Sequence, residues 1–171
     1  MTMTKHFFIV FIFALAATTG FGQNCSCITG TKDKQSGIKS RGGVTSSLDY
    51  YSLLFQKITN YNDSTVAPEY LLVLNAASDV VLSDSMLKSK GTFELLFRDS
   101  SKVSIENATC FNNQMPFGFC NTFSATITKE QLEIISKNPI LSLNAFGILA
   151  TSFKEKKQKE QQKIATCLLN D

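Results

Sequence analysis

The sequence has no tryptophan and a single histidine, His6, among 171 residues. A Ser–His–Asp triad needs an imidazole as its base, and zinc sites commonly use histidine nitrogens as ligands. Because His6 lies in an amino-terminal stretch that we expect to be removed, composition excludes histidine-dependent triads and histidine-ligated metals from the mature chain. A cysteine nucleophile would also lack its usual histidine partner.

Long apolar runs are missing too. The longest, Phe7 to Ala17 in "MTMTKHFFIVFIFALAATTGFGQ", has eleven residues, whereas a membrane-spanning helix needs about 20. Lys5 precedes this run, and Gly20 and Gly22 place small residues before a cut at Gln23. Such an arrangement is typical of a secretory signal peptide. We therefore predict a leader of residues 1–22, a secreted or periplasmic location, and no transmembrane segment after cleavage.

Neither sign of charge predominates. The chain has 17 basic and 14 acidic side chains, and loss of Lys5 with the leader lowers the net charge to about +2. This balance gives no electrostatic basis for binding nucleic acid. Motifs for cofactors are also missing, since "SRGGVTS" lacks the lysine and spacing of a phosphate-binding loop and no EF-hand loop occurs. We expect no nucleic-acid partner, no cofactor and no metal.

The chain after the leader divides into a polar and an apolar part. Residues 23–47 are rich in glycine, serine and lysine, which indicates a flexible polar lead-in. Residues 48–171 have the length of a single β-rich domain. The first apolar stretch, residues 48–58, fits either one helix face or one strand face. The turn chemistry of "NYNDS" behind it favours a strand.

Alternating apolar residues predict further strands. Tyr70 to Leu74 is a short apolar run suited to a buried strand, and Val80 to Leu82 continue it after a bend. In "GTFELLFRDSSKVSIEN" two alternating runs flank a polar turn at 99–101, which predicts a β-hairpin. The segment "FSATI" repeats the alternation, and "ILSLNAFGILATSF" indicates one long strand or two short ones.

A short helix follows "FSATI". Thr128 and Gln131 have the spacing of a capping box, in which each side chain bonds the backbone N–H of the other residue. Pro139 prevents the helix from continuing far, because proline has no backbone N–H. The pattern predicts a helix near 129–137.

The tail is strongly helix-forming near 154–168, with Ile164, Cys167 and Leu168 on one face. We expect its charged and amide-rich front half to be a solvated surface. Several antiparallel strands with these two helices predict an α+β fold, mainly antiparallel β. The architecture would be a sandwich or a curved sheet closed by the C-terminal helix.

Five cysteines follow the leader, and in an exported chain we expect structural disulfides. Their spacings match neither a zinc knuckle nor a C-x-x-C redox centre. Either Cys110 and Cys120 pair with each other, or one of them pairs with Cys167. We favour a long-range bridge involving Cys167, because closing a longer loop stabilises more. An unpaired thiol is then expected at Cys25 or Cys27.

Carboxylates offer the remaining catalytic chemistry, since two acids about 5–9 Å apart can hydrolyse glycosides. The candidates in the β region are Asp79, Asp84, Glu94, Asp99 and Glu106. Their spread is ordinary for surface strands and turns, and we expect Glu94 and Glu106 to face water. A glycosidase-type site is therefore the weaker hypothesis.

A phenylalanine-rich stretch around Pro116 provides a candidate apolar surface, formed by Phe111, Met115, Phe117 and Phe119. The functional interpretation is a site for an apolar ligand or a protein partner. The alternative, which we favour, is core packing beneath a crosslinked loop. Shared exposure of these side chains would favour the binding surface.

Over most of the mature chain, the following strings occur in order: "DYYSLLFQKI", "YLLVLNAASDVVLSDS", "FSATITKEQLEIISKNPI" and "IATCLLND". In this order the chain resembles small secreted bacterial proteins of uncharacterised function, which have a sheet, a short helix at T-x-E-x-L and a cysteine-bearing C-terminal helix. The resemblance implies that "FGILATSFKEKKQ" is a final strand running into the last helix. It brings no catalytic motif with it.

Taken with the composition, these patterns predict a non-enzymatic exported module with a binding or structural role. Its partner would be a protein or a small apolar ligand. A carboxylate-dependent glycan hydrolase and a carrier of a small apolar ligand are the alternatives.

Overall fold

The computed structural model describes residues 25–46, 51–78, 82–115 and 118–171. The predicted leader, residues 1–22, lies outside the described residues. So do Asp79, Val80 and Phe117, on which other predictions rest.

Within the described ranges, nine strands form one sheet in the order β1-β2-β3-β4-β7-β6-β5-β8-β9, and every neighbouring pair is antiparallel. The strands are β1 (Thr29–Asp33), β2 (Ile38–Ser46), β3 (Tyr51–Asn60), β4 (Glu69–Ser78), β5 (Gly91–Phe97), β6 (Lys102–Met115), β7 (Gly118–Ile127), β8 (Ile140–Ala145) and β9 (Leu149–Ser152). The helices are α1 (Asp84–Lys88), α2 (Lys129–Lys137) and α3 (Glu155–Leu169).

The predicted fold class is confirmed, as a single antiparallel sheet with a short helix in mid-chain and a helix at the C-terminal end. In the ambiguous stretch at 48–58, residues 51–58 belong to strand β3, and residues 48–50 lie outside the described residues. The predicted hairpin is β5–β6. The segment "ILSLNAFGILATSF" forms the two short strands β8 and β9.

One face of the sheet, called the inner face below, carries the core and is covered by α2 and α3. Alternate residues of β3, β4 and β7 point to it, as their period of two requires. Phe55, Leu72 and Phe123 on these strands are buried, and Leu132 and Ile135 of α2 belong to the same core. The opposite face, called the outer face, carries the intervening residues.

Strand β6 joins the two halves of the sheet. Its first half pairs with β5 and its second half, from Thr109, pairs with β7. Between the pairs Gly91↔Ala108 and Phe93↔Ile105, β6 has one residue more than β5. Asn107 lies in this bulge with φ of 59°, a left-handed conformation that asparagine tolerates. Such a bulge bends the strand and increases its twist.

The capping box predicted for α2 is present. The Gln131 backbone N–H donates to Thr128 Oγ1 at 3.1 Å, and the Thr128 N–H donates to Gln131 Oε1 at 2.9 Å. The helix ends at Lys137, two residues before Pro139. The capping box fixes the start of α2 locally, and at its end the Gln162 side chain of α3 donates to the Lys137 carbonyl at 2.9 Å.

The predicted apolar face of α3 is confirmed, because Ile164, Cys167 and Leu168 are all buried. The prediction of a solvated front half is wrong for two of its amides. Gln158 and Gln161 are buried against the core, while the charged residues between them face outward. An i, i+3 spacing places both glutamines on the apolar face.

The prediction of a flexible lead-in at 23–47 differs from the structure. Residues 25–46 carry β1 and β2, and β2 pairs with β3 over nine positions. The polar segment therefore belongs to the sheet, and the domain boundary expected at residue 48 is not a structural division. The sequence pattern does not indicate these strands, because β2 has Lys39, Arg41 and two glycines at positions where a buried strand usually has apolar residues.

Candidate functional site

The predicted apolar surface is divided between the two faces of the sheet. Phe111 is 45% exposed on the outer face, opposite Thr122 of β7. Phe119 is half-buried and lies three positions before Thr122 on the same strand, and an odd offset along a strand reverses the face. The side chain of Met115 and the whole of Phe117 lie outside the described part. Phe111 and Phe119 therefore do not share one surface.

The disulfide joins Cys25 to Cys167, with a Cα–Cα distance of 5.7 Å. The prediction of a long-range bridge to Cys167 is confirmed. The partner named for it, Cys110 or Cys120, is wrong. Cys27, Cys110 and Cys120 are free thiols.

Strand register explains why Cys110 and Cys120 do not pair. Cys110 lies opposite Phe123 and is buried on the inner face. Cys120 lies opposite Asn113 and three positions before Phe123 on β7. Because side chains alternate along a strand, Cys120 is on the outer face. The Cys110 thiol instead donates to the Met86 carbonyl at 3.4 Å, and burial raises the pKa of this thiol.

Of the candidate acids within the described residues, Asp99 lies in the β5–β6 turn, Glu94 and Glu106 lie on strands, and Asp84 begins α1. The Ser101 hydroxyl and N–H both donate to Asp99 Oδ1, at 2.6 and 2.9 Å, and hold the pKa of Asp99 below its usual value. Glu106 accepts hydrogen bonds from Thr92 at 2.9 Å and Ser104 at 3.1 Å. The lowered pKa of Asp99 disfavours the protonated form that a general acid needs.

Glu94 borders a cavity. This depression of about 440 Å³ lies between α1 and the β8–β9 turn. It is lined by Met86, Ser89, Lys90, Gly91, Thr92, Glu94, Phe146 and Gly147. No second carboxylate is among these lining residues, although Glu106 accepts a hydrogen bond from one of them, Thr92.

A larger groove of about 500 Å³ crosses β1, β2 and β3 and is called the β1–β3 groove below. It is lined by Cys27, Thr29, Gly30, Thr31, Ser40, Gly42, Gly43, Val44, Leu54 and Gln56. Hydroxyl groups, one amide, exposed backbone and two aliphatic side chains make up this surface. Gln56 Nε2 donates to Ser40 Oγ at 2.5 Å and ties neighbouring strands together across the groove.

The consecutive glycines Gly42 and Gly43 allow β2 to pack closely against β3 and α3. A Cβ on Gly42 would lie 2.7 Å from the Phe55 carbonyl oxygen, and one on Gly43 would lie 2.8 Å from both the Cys27 oxygen and Ile164. Real Cβ atoms do not approach so closely. Any other residue here would push β3 or α3 away, so the groove and the packing of α3 depend on the same pair.

Charged side chains of β2 point away from the groove. Lys39 and Arg41 alternate with the groove residues and form ion pairs with Asp171, which follows α3 on the inner face. The Lys57 ammonium donates to the Leu168 carbonyl at 3.2 Å, and burial lowers the pKa of Lys57. Apart from the Cys27 thiol, the lining of the β1–β3 groove has no titratable side chain.

Sequence reasoning missed the groove because its residues on β1 and β2 lie in the segment predicted to be a lead-in; only Leu54 and Gln56 lie outside that segment. The available signal was the alternation of Ser40, Gly42 and Val44 with Lys39 and Arg41. Such alternation is typical of a strand with two different faces, although the glycines and lysines weaken it.

Two general features complete the description. Among the described residues, no group of three or more His, Cys, Asp and Glu side chains could hold a metal ion. Nor is any helix in the described ranges both long and apolar enough to cross a membrane. Comparison with protein-family models, with curated proteins and with solved structures gives no match to the chain.

Proposed function

We propose that the protein is an exported, non-enzymatic binding module whose β1–β3 groove takes an uncharged segment of another exported polypeptide. The observation that carries this proposal is the lining of the groove, which combines hydroxyl, amide and backbone groups with Val44 and Leu54. Its volume of about 500 Å³ falls in the range of small-ligand sites.

The chemistry of the lining favours binding over catalysis. General acid–base catalysis requires groups that change protonation near the working pH. The groove offers hydrogen-bond donors and acceptors and aliphatic contact, with one thiol as its only titratable group. The groove therefore supports a non-enzymatic role.

The position of the groove favours an extended polypeptide as its ligand. Strand β1 is at the edge of the sheet, and all five of its residues are exposed. An edge strand has a free row of backbone N–H and C=O groups, which an extended chain can pair with. Neutral side chains of such a chain could then enter the groove beside β1.

Export rests on the predicted leader, and the disulfide supports it. Disulfides persist in oxidising compartments and are rare in the cytosol. A bridge between Cys25 and Cys167 accords with a secreted or periplasmic location.

The groove is tested with two matched variants. Val44 is 57% exposed in the groove, and Ile148 is 52% exposed in the β8–β9 turn, far from it in the strand order. An array of short uncharged peptides is probed with the wild-type protein, Val44→Lys and Ile148→Lys. We expect Val44→Lys to weaken peptide binding at least about tenfold, because it places an unpaired charge against a neutral ligand, and Ile148→Lys to bind as wild type.

Equal binding by wild type and Val44→Lys, or no binding at all, would contradict the proposal. A glycan array incubated with the same proteins tests the hydrolase alternative. Glycan cleavage that is lost in Glu94→Gln would favour an enzyme over a binding module.

A further inference from the structure

Three of the five cysteines lie together at one point of the fold. Cys25 and Cys27 precede β1, and Cys167 lies in the last turn of α3. The bridge joins Cys25 to Cys167, and the free Cys27 Sγ lies 4.0 Å from Cys167 Sγ. A thiol is thus held in contact with the sulfur of a disulfide that it does not belong to.

We propose that Cys25, Cys27 and Cys167 form a thiol–disulfide exchange centre, in which Cys27 replaces Cys25 as the disulfide partner of Cys167. The Cys27 thiol loses its proton to solvent, and the thiolate attacks Cys167 Sγ. The Cys27–Cys167 bond forms as the Cys25–Cys167 bond breaks. Cys25 leaves as a thiolate and takes up a proton, so the step needs no oxidant or reductant.

The two bridges close loops of almost equal length. Cys25 and Cys167 are 142 residues apart, and Cys27 and Cys167 are 140 apart. Loop-closure entropy depends only on the logarithm of loop length, so the chain entropy does not distinguish the two isomers. Local packing of "CSC" decides the equilibrium, and both isomers are expected to be populated.

Burial restricts which sulfurs can take part. Cys167 is 1% exposed, whereas Cys25 and Cys27 are half-buried. A reagent in solution can therefore react at Cys25 and Cys27, whereas the buried Cys167 sulfur reacts only with the sulfurs beside it. Cys110 and Cys120 lie on β6 and β7, away from the cluster.

Exchange moves the accessible thiol from one residue to another without unfolding the sheet. Cys27 is among the residues that line the β1–β3 groove, so exchange would change the oxidation state of a residue in the groove wall. Exchange among the three sulfurs needs no ligand in the groove, and it is tested independently of peptide binding.

The test follows over time which of the two residues, Cys25 or Cys27, has the free thiol. The oxidised full chain is moved from mildly acidic to mildly alkaline buffer, and samples are quenched in acid and labelled with N-ethylmaleimide. Fragment mass spectra then assign the label to Cys25 or Cys27. We expect label on both residues, in a ratio that becomes constant with time, at a rate that rises with pH because the thiolate is the attacking species. The rate should not depend on protein concentration.

Label confined to Cys27 at every time would overturn the proposal, and so would a rate proportional to protein concentration.

Two variants separate exchange from misfolding. Cys27→Ser should keep the Cys25–Cys167 bridge and leave Cys25 unlabelled. Cys25→Ser, refolded with oxidised glutathione, should form the Cys27–Cys167 bridge. If Cys27 and Cys167 both remain thiols in that variant, the proposal is wrong. Cys120→Ser is the matched control and should exchange as wild type.

Discussion

At the scale of single residues, two buried glutamines of α3 differ in how their amides are satisfied. Gln158 accepts a hydrogen bond from Arg98 at 2.9 Å and donates to the Phe153 carbonyl at 2.6 Å. Gln161 is fully buried, and its amide has no hydrogen-bond partner among the described residues. A buried polar group without a partner costs about 1–3 kcal/mol of stability.

Substitution with methionine, which has a similar volume, should act in opposite directions at these two positions. Gln161→Met removes an unsatisfied amide and should raise the free energy of unfolding by about 1 kcal/mol. Gln158→Met leaves the Phe153 carbonyl and the Arg98 guanidinium without their partner and should lower the free energy of unfolding by about 1–3 kcal/mol. Urea unfolding of both variants measures the difference. Equal destabilisation by both substitutions would show that Gln161 has a partner.

At the scale of secondary-structure elements, three turns are built in the same way. Asp33, Asp63 and Asp99 each follow or lie near the end of a strand and accept hydrogen bonds from a serine or threonine two or three residues later. The hydroxyls of Ser36, Thr65 and Ser101 respectively make the largest contribution to lowering the pKa of these carboxyls.

The lowered pKa values predict the direction of the acid response. A carboxyl with a lower pKa in the folded than in the unfolded state stabilises the fold above its unfolded pKa, and this contribution is lost as the pH falls through the folded pKa. Stability should therefore decrease as the pH falls from about 5 towards 2. Ser101→Ala should reduce the decrease, since it removes a donor to Asp99.

Ser85→Ala is the control, because the Ser85 hydroxyl contacts Ser83 rather than a carboxylate. Urea unfolding at several pH values measures the three profiles. Profiles of Ser101→Ala and wild type that coincide would contradict the assignment of the lowered pKa to this hydrogen bond.

Elements that depend on neighbouring residues could be predicted from the sequence. Thr128, Gln131 and Pro139 determine α2 locally, and the β5–β6 hairpin follows from alternation around a polar turn. Strand β2 could not be predicted so well, because its stability depends on pairing with β3 and its small residues are required by α3. Helix α1 has five residues and none of them is buried, so it gave no periodic signal.

The candidate sites depended still more on long-range structure. The sequence predicted that Cys167 would form a bridge, but its partner depends on how the edge hairpin β1–β2 and α3 meet. The proposed apolar surface depended on the face to which Phe111 and Phe119 point. That face follows from strand register, which local composition does not specify.

At the scale of the whole molecule, the Cys25–Cys167 bridge ties the amino-terminal edge of the sheet to the last helix. The pairs of Lys39 and Arg41 with Asp171 join the same two regions. A bridge across 142 residues stabilises the fold by about 5 kcal/mol in the chain-entropy model. Losing Cys167 should therefore destabilise the molecule more than losing Cys25, for which Cys27 can substitute.

The most direct test counts the thiols of the exported protein. Purified protein is unfolded without reductant and alkylated, and its intact mass is measured by mass spectrometry. The measurement is repeated after reduction. We predict a chain that begins at Gln23, with three of its five cysteines labelled before reduction. The other two, including Cys167, should be labelled only after reduction. Five labels without reductant, or a chain that still begins at Met1, would contradict an exported molecule whose last helix is held by a disulfide.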